Sequence, residues 1–283
     1  MNKLKQIQQQ YQDMSAIEEV AKVYETIASI EIRKIKNRVL LSRNFFHELW
    51  GMYMQLRVDP DKEFDSLSSN PSINKTAVVL ISSDSPLGGS IDERLVDETL
   101  AATSTAKADY FVIGKHGAKI LRARGITPKA LFPLPDISKP FHVLDIIEQT
   151  KQYKDTIVYF EQFINLDKQQ VQVFELISSV TRLSEIEASS GDTALLFASD
   201  YLFEPSLKEV VEYLESMMCA TALTELILES RLAQLASRFN AMNIASSSAE
   251  DKKTILKTQY KRYKRQTEMN NSYRSNSDKA AIL

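Results

Sequence analysis

Apolar residues recur along the first part of the chain at alternating steps of three and four: Leu4, Ile7, Tyr11, Met14, Ala21, Tyr24, Ala28, Ile32, Ile35, Val39, Phe46 and Leu49, with Glu18 and Ser42 filling the gaps. This is a seam at heptad spacing, long enough to predict a coiled coil rather than an ordinary surface helix. Similar steps return late in the chain, in Leu207, Val210, Val211, Leu214, Met217 and Met218, then Leu228, Leu232, Leu235, Phe239, Met242, Ala245, Ala249, Leu256, Tyr260 and Tyr263. Neither glycine nor proline interrupts Met1 to Trp50 or Ser206 to Leu283. At a rise of about 1.5 Å per residue these segments reach roughly 75 and 115 Å if unbroken, several times the radius of a compact domain. They are therefore expected to pair with each other and to meet a partner along the remainder. The pairing expected is antiparallel, because a compact domain between them returns the chain near its exit point. Ala21, Ala28, Ala245 and Ala249 allow close approach, whereas the polar run Ser246–Lys253 offers little apolar surface and predicts a bend or looser winding.

Between the helical ends the pattern changes. Thr76–Ser82 is a short apolar run rich in β-branched residues, followed by a turn and the helical spacing Ile91, Leu95, Val96, Leu100. Tyr110–Ile113 reads as a strand, Gly117–Arg124 as a helix, Ala130–Leu134 as a short strand, and Phe141 to about Tyr153 as a helix. Ile157–Phe160, Gln170–Leu176 and Ala194–Ala198 supply further strands. Strands alternating with helices predict βαβ units with a hairpin-like finish. The fold expected is α/β: a long antiparallel coiled coil of the N- and C-terminal helices plus a central Rossmann-like α/β domain. Its parts are an N-terminal coiled-coil helix over residues 1–58, the α/β domain over 75–200 and a C-terminal coiled-coil helix over 205–283, with Asp59–Lys75 as a linker.

Composition narrows the function classes. The formal net charge is −2, which carries no overall nucleic-acid signature, yet Lys252–Arg265 holds seven basic residues and no acidic one. One cysteine, Cys219, excludes an internal disulfide framework and a cysteine-built metal site. It lies beside Met217 and Met218 on an apolar face and reads as a core filler. The start, MNKLKQIQQQYQDM, lacks a hydrophobic signal core, and no apolar run approaches the length of a membrane span, so a soluble chain on the cytoplasmic side is expected.

Candidate chemistry is thin. The turn Ser83–Ser90 follows a strand and opens a helix, where α/β enzymes hold ligands, but it has neither G-x-G-x-x-G spacing nor a P-loop ending, and Asp84 would repel an anion. It reads as a structural turn. His47, His116 and His142 are scattered, and Asp92 with Glu93 suits the first turn of a helix, where the dipole favours negative charge. No catalytic residue, cofactor site or metal site is expected.

Six short motifs, Ile32-Arg33-Lys34, Ser42-Arg43-Asn44-Phe45, Ser82–Asp92, Ile113-Gly114-Lys115 with Gly117, Tyr201–Pro205 and Ala233–Met242, together resemble the gamma subunit of F-type ATP synthases, the central rotor shaft. Ile32-Arg33-Lys34 and Ser42-Arg43-Asn44-Phe45 are similar to that family's Met-Arg-Lys and Ser-Arg-Pro-Tyr. Ser82–Asp92 resembles its Ser-Thr-Asp-Arg-Gly-Leu-Cys-Gly-Gly-Leu-Asn, and Ile113-Gly114-Lys115 with Gly117 its Ile-Gly-x-Lys-Gly. Tyr201–Pro205 resembles Tyr-x-Phe/Tyr-Glu-Pro, and Ala233–Met242 resembles Ser-Glu-x-x-Ala-Arg-Met-x-Ala-Met. The motifs keep their order along the chain. Departures are Pro86 for glycine, Ser85 for a basic residue, Asp92 for asparagine, Asn44 for proline, and Glu18-Glu19 near a position that is basic in the family.

The resemblance implies a non-catalytic central stalk inside a ring of three alpha and three beta subunits, with the α/β domain meeting the epsilon subunit and the membrane c-ring. Rotation of the shaft would then couple ion translocation to ATP synthesis or hydrolysis. It also implies partner-contact residues: Lys264, Arg265 and Gln266, aligned with a stretch where an Arg-Gln pair touches a loop of beta, and Gln234, Arg238 and Met242, which support the helix pair and its contact with beta. The residues alone leave open a free-standing coiled-coil adaptor, a small-molecule-binding α/β enzyme using the Gly88-Gly89 turn and, weakest, a nucleic-acid binder using Tyr260 and Tyr263 within the basic run.

Overall fold

The computed structural model of the protein describes residues 3–57, 72–103, 107–136, 143–176, 204 and 206–280. Two long helices, α1 (Lys3–Arg57) and α5 (Leu207–Ala280), bracket the strands. The chain divides into two compact units, each drawing on both helices: Met1–Ala28 with Arg238–Leu283, and Ser29–Ser237.

The Ser29–Ser237 unit is built on a five-stranded sheet. In chain order its elements are β1 (Ile73–Ile81), a 3₁₀ turn (Pro86–Gly88), α2 (Ile91–Thr103), β2 (Ala108–Ile113), α3 (Lys115–Ala123), β3 (Ala130–Phe132), α4 (Leu144–Thr150), β4 (Tyr153–Phe163) and β5 (Gln169–Glu175). The strand order is β3-β2-β1-β4-β5; all pairs are parallel except the β4–β5 hairpin. Ala77 to Ile81 are fully buried, as a central strand covered on both faces requires. Their side chains alternate between two cores. Ala77, Val79 and Ile81 pack with Phe111, Ile113, Val158 and Phe160 against Met218, Leu223 and Ile227 of α5. Val78 and Leu80 join Val112 and Tyr159 against Leu95 and Val96 of α2 and Leu121 of α3.

The expected βαβ order and hairpin finish are present, with shifted edges. The first strand begins at Ile73, inside the expected linker, because Ile73 pairs with Tyr153. That pairing also shortens the helix expected to reach Tyr153: it stops at Thr150, and Tyr153 opens β4. The third strand ends at Phe132, and α3 begins at Lys115. The strand expected at Ala194–Ala198, the Tyr201–Phe203 part of the motif before α5, and residues 58–71 lie outside the described residues.

In the other unit α1 and α5 pair antiparallel. The Lys3 ammonium lies 4.5 Å from the centre of the Tyr263 ring, that of Lys253 lies 5.6 Å from the Tyr11 ring, and Lys253 reaches Glu18 at 2.6 Å, so one number rises as the other falls. Ile7, Glu18, Ala21 and Ala28 are buried on α1, with Leu4, Tyr11, Met14 and Tyr24 half-buried, as the seam predicts. The side chains of Val39, Ser42 and Phe46 lie outside the described residues. Helix α5 continues as helix through Ser246–Lys253. Ser246 and Ala249 are buried, so the seam is continued by small residues.

Candidate functional site

The helix pair carries its polar groups in rungs. Glu18, buried in the seam, accepts from Lys22 one turn along and from Lys253 across the pair, both at 2.6 Å. The Lys22 hydrogen bond, and then that of Lys253, hold the Glu18 carboxyl down at about 2. Further along, a groove of about 650 Å³ is lined by Lys3, Gln6, Gln10, Arg262 and Gln266. Lys264, Arg265 and Gln266 are exposed, while Arg238 and Met242 are half-buried. On α1, Ile17, Val20, Val23 and Ile27 stand 42–57% exposed, at three- and four-residue steps that form an apolar face away from the seam.

In the sheet unit the turn after β1 is bonded inward. The Ser83 amide and hydroxyl donate to Asp92 at 2.9 and 2.5 Å, and the Lys115 amide donates to Asp84 at 2.9 Å. Two backbone donors beside the turn, the Ser83 and Lys115 amides, are thus taken by carboxylates. His116 Nδ1 lies 2.7 Å from Asp92, so serine, histidine and aspartate meet. The hydroxyl bonds the carboxylate rather than the imidazole, and the hydroxyl-to-imidazole link that activates a nucleophile is missing. Asp92 occupies the first turn of α2, as expected, and is 1% exposed. Among the described residues no group of histidines, cysteines and carboxylates could hold a metal ion.

Helix α5 meets this region through polar side chains. The Ser237 hydroxyl donates to the Gly88 carbonyl at 2.7 Å. One turn back, the Gln234 carboxamide donates to Glu161 of β4 at 3.2 Å and to the Ser230 hydroxyl at 3.1 Å. Gln234 is 1% exposed and faces the sheet, whereas the other five expected contact residues belong to the helix-pair unit.

Comparison with known proteins decides the family. The family profile described as ATP synthase matches residues 3–271. The chain belongs to the ATP synthase family. Its curated relatives include the ATP synthase gamma chain of Chlorobium phaeobacteroides, 24% identical over 278 residues and covering 93% of this chain and 92% of that one. The ATP synthase gamma chain of Limosilactobacillus fermentum is 27% identical over 225 residues, covering 73% and 72%. In fold the chain is similar to a chain of the Euglena gracilis mitochondrial ATP synthase OSCP/F1/c-ring assembly, with a TM-score of 0.66, 13% identity and coverage of 98% and 95%. A chain from the Tetrahymena thermophila mitochondrial ATP synthase central stalk and c-ring gives a TM-score of 0.55 at 21% identity, covering 80% and 99%. As a gamma-type member of the ATP synthase family, the chain is a non-catalytic stalk subunit of that complex.

The sequence pattern missed Glu161 and Ser230. Glu161 is the one acid in the mostly apolar stretch Ile157–Phe163, and an acid so placed in a strand is the sequence signal of a buried polar site.

Proposed function

We propose that the chain is the turning shaft of a rotary F-type ATP synthase, coupling ion movement through the membrane rotor to ATP synthesis or hydrolysis in a ring of three alpha and three beta subunits. The single observation that carries the reading is the antiparallel pair of α1 and α5 laced by the Tyr11–Lys253–Glu18 rung. The exposed apolar face of Ile17, Val20, Val23 and Ile27 supports it, since a helix face of that kind calls for a protein sleeve. The α/β domain, residues 75–200, meets the epsilon subunit and the c-ring, and the helices of residues 1–58 and 205–283 meet alpha and beta. The subunit sits on the cytoplasmic face of the cell membrane; no helix among the described residues is long and apolar enough to cross a membrane.

In this scheme the chain transfers no atoms. It biases each beta subunit between open and closed states by making different contacts with each. Arg265 and Gln266 grip a loop of beta, with Lys264 adding charge, while Arg238 and Met242 support the pair beside it and Gln234 holds α5 from within. Arg presents a planar fork that takes a carboxylate by two bonds, which Lys does not. Replacing Arg265 and Gln266 by alanine in the assembled enzyme should weaken coupled ATP synthesis or assembly. Each charged hydrogen bond lost removes about 1.5–3 kcal/mol of grip. Synthesis and hydrolysis unchanged from the parent would overturn the assignment of these residues, and purification of the native chain without alpha and beta would overturn the shaft.

A further inference from the structure

Glu161 is wholly buried in β4. Its Oε2 accepts from the Ser230 hydroxyl at 2.5 Å and from Gln234 Nε2 at 3.2 Å. Ser230 and Gln234 lie one turn apart on α5, 0% and 1% exposed, and are joined by their own 3.1 Å hydrogen bond. Two oxygens are left over. Oε1 of Glu161 and Oε1 of Gln234 are both buried with no hydrogen-bond partner. A carboxylate oxygen and an amide carbonyl only accept, so with Glu161 ionised neither can serve the other. A single added proton fills both needs. A carboxamide can pair with a neutral carboxyl in a ring of two hydrogen bonds, its nitrogen donating to one carboxyl oxygen and its own oxygen accepting from the other.

We propose that Glu161 is held as the neutral acid and donates its proton from Oε1 to Oε1 of Gln234, forming an acid–amide latch that fastens α5 to β4. The latch lies wholly within the Ser29–Ser237 unit and stands whether or not the chain turns as a shaft.

The surroundings favour the neutral form. Burial first, and then the charge of Asp92, push the Glu161 carboxyl up to about 8. Asp92 faces it from α2, and that carboxylate is itself bonded to His116 of α3 and to Ser83. From α5 come the neutral Ser230 and Gln234; Arg231, between them in sequence, is 3.5 Å from Glu31 of α1. From β1 comes the Ile81 carbonyl, 3.2 Å from the Ser230 hydroxyl. Ionising Glu161 would set a second carboxylate against Asp92 in a dry interior and strip Gln234 Oε1 of its donor.

The sign of the pH effect follows. The folded chain keeps a proton that the unfolded chain gives up near 4.5, so stability falls as pH rises from about 4.5 to about 8 and levels off above.

Infrared spectroscopy of the full-length chain tests this directly. At pH 7 the wild type should show the carbonyl band of a protonated carboxylic acid, titrating away near pH 8. Glu161→Gln should lack that band. Its amide nitrogen still donates to Gln234, so its melting temperature should lose the component of decline between pH 4.5 and 8 and exceed the wild type's on the alkaline side. Gln234→Leu should shift the band to the higher frequency of an acid without a hydrogen-bonded partner. Absence of the band in the wild type at pH 7, its persistence in Glu161→Gln, or an unmoved band in Gln234→Leu would overturn the latch. The wild-type titration decides the protonation state even if a variant fails to fold.

Discussion

Two glycines show how tightly single positions are fixed around Ser82. Gly114 has φ +98°, and a Cβ there would stand 2.2 Å from the Ser82 carbonyl oxygen. A Cβ on Gly117 would stand 2.4 Å from the Ser82 hydroxyl, which accepts from the Gly117 amide and donates to the Ile113 carbonyl. Gly117→Ala must therefore push α3 away from β1, and a loss of about 1–3 kcal/mol is expected in urea unfolding of the full chain. Cys219 makes the opposite case, a reactive atom made inert. Burial, and then the Glu215 charge, push its thiol up to about 12. It should resist alkylation at pH 8 in the native protein and react at once in denaturant. The sequence reading of Cys219 as core filler agrees with its 2% exposure. Glu161 was harder to foresee, because its partner Ser230 lies 69 residues away and only the fold brings them together.

At the level of elements, the seam of α1 could be read because steps of three and four record which face is buried, and Ile7, Ala21, Ala28, Ile35 and Leu49 are all buried. Strand and helix edges were less legible: the Ile73–Tyr153 pairing sets the start of β1 and ends the reach of α4 through a residue far along the chain. Through the serine run of α5 the apolar pattern fades while burial continues at Ser246 and Ala249. Small side chains and the Glu18–Lys253 rung serve there instead. That rung has its own pH signature. The Glu18 carboxyl is lowered, so its contribution is complete above about 4.5 and is lost as pH falls toward 2. Glu18→Gln should start less stable at pH 7 and show a shallower loss of helical circular dichroism on acidification across that window.

For the molecule as a whole, fold class and family were accessible from motif order, since the alternation of strands and helices between two uninterrupted helical ends leaves few architectures open. What the pattern did not display was which exposed residues are left for a partner, because exposure depends on which face the seam consumes. Val20 and Val23, at 54% and 57% exposed, test that remainder. Changing both to glutamate should leave the chain's own unfolding within about 0.5 kcal/mol of the parent. The same change should reduce its recovery in complex with alpha and beta, measured by co-purification.

The contact between Glu18 and Lys253 also bears on biosynthesis, for it joins residues 235 apart. Ribosomes add about 5–20 residues per second, so the leading helix emerges roughly 10 to 50 seconds before its mate exists. Throughout that interval Ile7, Ala21 and Ala28 have no counterpart to cover them. A nascent chain of this kind is a natural client for a chaperone that shields single amphipathic helices, and a stalled or prematurely released translation product would be left sticky along its oldest segment.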